Sequence, residues 1–171
     1  MKRHRLLFLL FLLGLTPSCS PQKQEATPVN PIGIYDTRAL AIAFVGSAPH
    51  KKKLSDLMAA HEQAKAAGDS ATVAKLEDQG QVMQQKTHQQ AFGTANVDDI
   101  LAHIPEAIIT IKKEAGVTNL ISKWNKAELK KHKGAETIDL TLPLVEALKP
   151  TAQQRQRAIE ILKKKPVEIE D

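Results

Sequence analysis

Five positions before Gly68 and five after it carry a mirrored spacing that leaves few folds open to this chain. His50, Leu54, Leu57, His61 and Ala64 follow one another at steps of 4, 3, 4 and 3 residues. Val73, Leu76, Gly80, Met83 and Thr87 follow at steps of 3, 4, 3 and 4. Such steps keep side chains on one stripe of a helix, the heptad seam of a coiled coil. Reflected about residues 68–69, the seams pair Ala64 with Val73, His61 with Leu76, Leu57 with Gly80, Leu54 with Met83 and His50 with Thr87. The spacing predicts an antiparallel helical hairpin, an arm over about residues 50–91. Gly68 suits the position just past the first limb, and Asp69 or Ser70 can cap the second. At 1.5 Å per residue, limbs of about 20 residues reach roughly 30 Å. The seam is thin, because Gly80, Ala64 and two histidines hold four of its ten places. Flanks rich in Gln, Lys and Ala suit a solvated arm.

Short strands and further helices surround the arm. Ile32 and Ile34 alternate with Gly33 and Tyr35, the pattern of a half-buried strand. Asp36 or Thr37 then caps a helix carrying Leu40, Ile42 and Phe44, which Gly46-Ser47-Ala48-Pro49 interrupts. Val97, Ile100, Leu101, Ile104, Ile108 and Ile111 mark one face of a helix that Pro105 kinks or restarts. Asp98 and Asp99 suit its positive end, and Lys112 and Lys113 its negative end. Val117 to Trp124 reads as a strand, Asn125 to Gly134 as a polar, basic loop, and Thr137 to Leu140 as a third strand. Thr141 is expected to cap a helix over Leu142 to Lys149, and a last helix begins at Thr151, with Gln154 completing its capping box. The fold class expected is α+β, mostly α: a small three-stranded sheet body with a projecting antiparallel hairpin.

The amino end reads as an address. Lys2, Arg3 and Arg5 precede the apolar run Leu6 to Leu13, so residues 1–18 are expected to be an export signal. The run is too short to span a bilayer comfortably. Leu15-Thr16-Pro17-Ser18-Cys19 resembles the lipobox of bacterial lipoproteins, although Thr16 stands three places before the cysteine where that motif prefers Leu. Lipidation of Cys19 is the expectation, and a free thiol after ordinary cleavage is the alternative; an unpaired thiol is a liability in an oxidising compartment. Residues 19–31 then form a tether with three prolines, residues 32–149 the domain, and residues 150–171 a C-terminal helix and tail. Ser20 in place of Asp points towards an outer-membrane anchor facing the periplasm. Without the leader, 21 basic residues face 19 acidic ones, a formal charge of +2 against +5 for the whole chain. That balance does not suit a nucleic-acid-binding domain.

IGIYDTRAL at Ile32 to Leu40, the Ser47-Ala48-Pro49 break before a basic helix start, VDDILAHIPEAIITIKKEAGVTNLISKW at Val97 to Trp124 and IDLTLPLVEALK at Ile138 to Lys149 stand in a telling order. That order resembles the Skp (OmpH-like) family of periplasmic chaperones, over about residues 32–149. The resemblance implies a sheet body that forms a homotrimer, with helical arms enclosing a cavity for unfolded outer-membrane proteins. It implies an ATP-independent holdase without catalytic residues or cofactor. The chain departs from the family in its shorter arms, near-neutral charge, lipid anchor and extra helix after Thr151. A structural alternative is an envelope lipoprotein whose coiled-coil hairpin docks a partner protein.

Other chemistry is sparse. The chain contains no nucleophile elbow, zinc-protease helix, P-loop or dinucleotide fingerprint. Met58 with His61 and Met83 with His88 make a soft metal site conceivable, but polar interruptions of a weak coiled coil explain them as well. Asp98 with Asp99, and Glu136 with Asp139, read as helix-end and strand-end charges. Lys126, Lys130, Lys131 and Lys133 make the Asn125–Gly134 loop a candidate contact for anionic headgroups or acidic clients, against the default of a solvated surface.

Overall fold

The computed structural model describes residues 30–165. The export segment, Cys19, most of the tether and the tail beyond residue 165 lie outside the described residues. In chain order the elements are β1 (Ile32–Tyr35), α1 (Thr37–Val45), α2 (Ala48–Ala66), α3 (Ser70–Phe92), α4 (Asp98–Leu101) and α5 (Pro105–Glu114). There follow β2 (Leu120–Ser122), α6 (Lys126–Lys131), β3 (Thr137–Asp139), α7 (Thr141–Ala147) and α8 (Ala152–Leu162). The fold is α+β and mostly helical, with one small sheet.

All strand pairs in that sheet are parallel, in the order β2-β1-β3, with Ile34 opposite Ile121 on one side and Asp139 on the other. β1 is therefore central, and Ile32, Gly33 and Tyr35 are all buried. This corrects the half-buried reading: of the four strand residues only Ile34 stays half-buried. Gly33 has no room for a side chain: a Cβ there would sit 2.6 Å from Leu140 Cδ1 and 3.2 Å from the Asn119 carbonyl oxygen. From β1 the chain reaches β2 on one flank and β3 on the other. The carboxyl ends of the strands thus meet where the connections diverge, the usual place for a crevice in an open parallel sheet.

The core lies between the sheet and α1, α7 and α8. Ala39, Leu40, Ala41 and Ala43 of α1 are buried, together with Leu144, Val145 and Leu148 and with Ala158 of α8. Small residues let α8 close on α1; a Cβ on Gly46 would lie 2.3 Å from Gln154 Cγ. Val97 and Ile100 of the α4 turn complete the core. α5 offers only half-buried side chains to it, among them Ile108 and Ile111, and leaves Ile109 exposed.

Several local expectations need correcting. At Pro105 the restart rather than the kink is found: Val97 to Gly116 forms α4 and α5, with Pro105 at the start of α5, where its missing N–H costs nothing. The strand expected over Val117 to Trp124 is only Leu120–Ser122, because Val117 N still donates to the Lys112 carbonyl, finishing α5 through left-handed Gly116. The stretch expected as a loop from Asn125 to Gly134 contains α6, which Asn125 caps by accepting from Glu128 N at 3.0 Å. Thr141 is not a cap: Leu140 holds that position, and Asp139 Oδ1 accepts from Thr141 N at 3.0 Å. Asp36, Ser47, Asp69 and Thr151 do cap α1, α2, α3 and α8 through their side chains.

Candidate functional site

α2 and α3 are the longest helices described, at 19 and 23 residues, or about 28 and 35 Å. The chain turns between them at Gly68, whose φ of +69° is costly for any residue with a Cβ. The two helices touch where the seams place neighbours. Leu57 Cδ2 lies 3.7 Å from the site of a Cβ on Gly80, and His61 Nε2 lies 3.4 Å from Glu77 Oε1. Ala64 is buried, and Val73 and Leu76 are half-buried.

Towards the body the seam does not close. His50, Leu54, Leu57, Gly80, Met83 and Thr87 line an open cleft of about 580 Å³, floored by Val45 and edged by Gln81, Gln84 and His88. The thin packing explains this, since Gly80 supplies no side chain and Thr87 turns its hydroxyl onto the Met83 carbonyl at 2.9 Å. Leu54 is 39% exposed, Met58 61% and Val82 65%, so the arm presents apolar side chains both in the cleft and outside it. His50 stands at the cleft's base with its ring edge-on to Phe44, at 5.5 Å between centroids. Burial and the nearby Lys53 charge hold its pKa below the usual range, partly opposed by the Val45 carbonyl, so the cleft's base is uncharged at neutral pH.

The histidines and methionines are not gathered at one point. His61 approaches Glu62 and Glu77, Met58 is exposed, and His103 stacks on Phe44 at 5.1 Å. Met83 and His88 do line the cleft with His50. No cluster of three or more His, Cys, Asp or Glu able to hold a metal occurs among the described residues. Lys126, Lys130, Lys131 and Lys133 are exposed on and just after α6, with Lys131 bound to Glu128 at 2.6 Å. Asp98 and Asp99 open α4, and Asp99 accepts from Lys86 and from Gln90 Nε2, each at 2.8 Å. Those bonds fasten the base of α3 to α4.

A second constellation, which sequence reasoning missed, sits at the carboxyl ends of the strands. Asp36 and Arg38 form a buried ion pair with bonds of 3.0 and 2.7 Å. Trp124 Nε1 donates to the same carboxylate at 3.2 Å, and the Arg38 guanidinium lies 4.8 Å from the indole centroid. Asp36 N donates to Thr141 Oγ1, which donates to Asp139, itself bound to Lys123 at 2.6 Å. Burial pushes the Asp139 carboxyl up, but the Lys123 and Thr141 bonds outweigh it and hold its pKa below the usual range. Every strand end is thereby tied to a neighbour. The one available signal was an acid immediately after the central strand, where βα turns carry their polar groups.

Among the described residues, no helix is long and apolar enough to cross a membrane. No family model, curated protein or solved structure matches the chain.

Proposed function

We propose that this protein is an ATP-independent holdase, tethered to the envelope through Cys19, whose α2–α3 arm binds apolar segments of unfolded outer-membrane proteins. In this reading the arm is an antiparallel hairpin of the Skp (OmpH-like) kind, facing the periplasm, and the body forms a homotrimer. The observation that carries it is the incompletely closed seam: Leu54, Leu57 and Met83 line an open cleft instead of packing together. A side chain entering the cleft removes apolar surface from water on both partners, at about 25 cal/mol per Å². Shallow contacts of this kind hold a client weakly and release it without nucleotide.

The test is light scattering of an unfolded outer-membrane β-barrel diluted from denaturant. A several-fold excess of the non-lipidated protein should suppress aggregation, and Leu54→Asp with Met58→Asp should remove most of that effect. Unchanged aggregation with the unsubstituted protein rejects the reading. The alternative, a lipoprotein whose hairpin docks one partner helix, draws on the cleft's bounded size, since such grooves suit a single amphipathic helix. One stoichiometric partner in a pull-down favours docking; a spread of unfolded clients favours the holdase.

A further inference from the structure

β2 is an edge strand whose outer side is bare. In a parallel pair, successive residues of a strand turn their backbone groups alternately to its two sides. Gly33 N donates to the Asn119 carbonyl at 2.9 Å, and Lys123 N donates to the Tyr35 carbonyl at 2.8 Å. Asn119, Ile121 and Lys123 therefore face β1, while Leu120 and Ser122 face outward. The Ser122 carbonyl is taken by Asn125 N at 3.0 Å. The Leu120 N–H, the Leu120 carbonyl and the Ser122 N–H have no partner among the described residues. Folded chains blunt such an edge with charge, proline or a covering segment. Leu120-Ile121-Ser122 has neither charge nor proline, whereas the opposite edge strand, β3, carries the exposed acid Asp139.

Across from this edge stands the connection between α3 and α4, separated from it by a cavity of about 420 Å³ that Leu120, Ser122, Thr94 and Asn96 help to line. The connection is held from behind and not by β2. The Gln89 carbonyl accepts from Thr94 N and Ala95 N, and the Asn96 carbonyl accepts from Gln90 Nε2 at 3.0 Å. Gly93 lies so close to Trp124 that a Cβ there would come within 3.1 Å of the indole, which closes the cavity just past Ser122. The result is a slot with a strand edge for one wall and a loop for the other.

We propose that this slot receives an extended segment of another polypeptide, which joins the sheet as a fourth strand beside β2. An extended backbone offers donors and acceptors at the spacing of the Leu120 and Ser122 groups, so main-chain bonds supply the affinity. With β2 three residues long, the segment is engaged over about 10 Å. Asp98 and Glu128 in the wall disfavour acidic segments. A second copy of the chain fits less well, because the loop stands where a folded body would have to be. The slot shares no residue with the arm's cleft, so it stands or falls apart from the holdase reading.

The probe is an acetylated, amidated peptide of alternating threonine and valine with a carboxyl-terminal lysine for solubility. It is titrated into the full chain, with amide hydrogen exchange read at Leu120 and Ser122 and fluorescence read at Trp124, the only tryptophan. Both amides should slow about tenfold or more, with a Kd of about 1 mM or below. The same peptide N-methylated at every residue keeps its side chains, loses its donors and should not bind. Ser122→Pro removes an outward N–H and no ladder bond, and Ala95→Phe fills the slot from the loop side. Each should weaken the peptide about tenfold while thermal unfolding by circular dichroism stays cooperative. Amides left unprotected at about 10 mM peptide, equal binding of the N-methylated peptide, or an unaltered Kd in Ala95→Phe each overturns the proposal. Protection that arises without peptide and grows with protein concentration assigns the edge to a second copy and overturns it as well.

Discussion

Asp36 does four jobs with one side chain. It ends β1, caps α1, neutralises Arg38 and receives the Trp124 indole N–H. Both partners of its ion pair are nearly sealed from water, with side chains 3% and 5% exposed. Removing one charge from such a pair leaves the other buried without compensation, which typically costs about 3–5 kcal/mol. Asp36→Asn is isosteric and still able to cap, so its loss in urea unfolding, followed by Trp124 fluorescence, should fall near about 3 kcal/mol. A loss below about 1 kcal/mol would show that Arg38 finds another partner. From sequence, Asp36 was legible as a cap and Trp124 only as the end of an expected strand. The bond between them was not, because it joins residues 88 positions apart, and nothing in local periodicity encodes that distance.

At the level of elements, side chains that act on their own neighbourhood were readable and those that act across the fold were not. Caps at Asp36, Asp69 and Thr151 and the left-handed turn at Gly68 follow from local chemistry, and each is present. The α6 helix was missed because six lysine-rich residues show no apolar stripe, although Asn125 with Glu128 three places on is a capping signal. Strand direction was not legible at all, since short apolar runs do not say which way their partners point. Gly80 is where the helical reading makes its sharpest prediction. A Cβ there would meet Leu57 Cδ2 at 3.7 Å, an ordinary contact, and glycine inside a helix costs about 1 kcal/mol relative to alanine. Gly80→Ala should therefore raise the urea midpoint, with a gain of about 1 kcal/mol, while narrowing the cleft. A destabilised variant would mean that α2 and α3 are closer there than the contact implies.

The molecule as a whole depends on residues that a sequence-based boundary at residue 149 leaves outside the domain. α8 lies along α1, Ala158 is fully buried, and the Lys164 carbonyl accepts from Arg38 Nη1 at 3.2 Å. Ending the chain at Pro150 would open α1 to water and expose the Arg38 end of the ion pair. Such a truncated protein should lose its cooperative thermal transition by circular dichroism; an unshifted transition would make α8 dispensable. The parallel sheet has a further consequence for the order of events during synthesis. β1 emerges first, yet its neighbours are Leu120–Ser122 and Thr137–Asp139, so both of its edges wait on chain not yet made. At the usual pace of translation that wait is on the order of five to twenty seconds. Throughout it, α1, α2 and α3 are already made and can pack on one another, while the nascent strand has no partner along either edge.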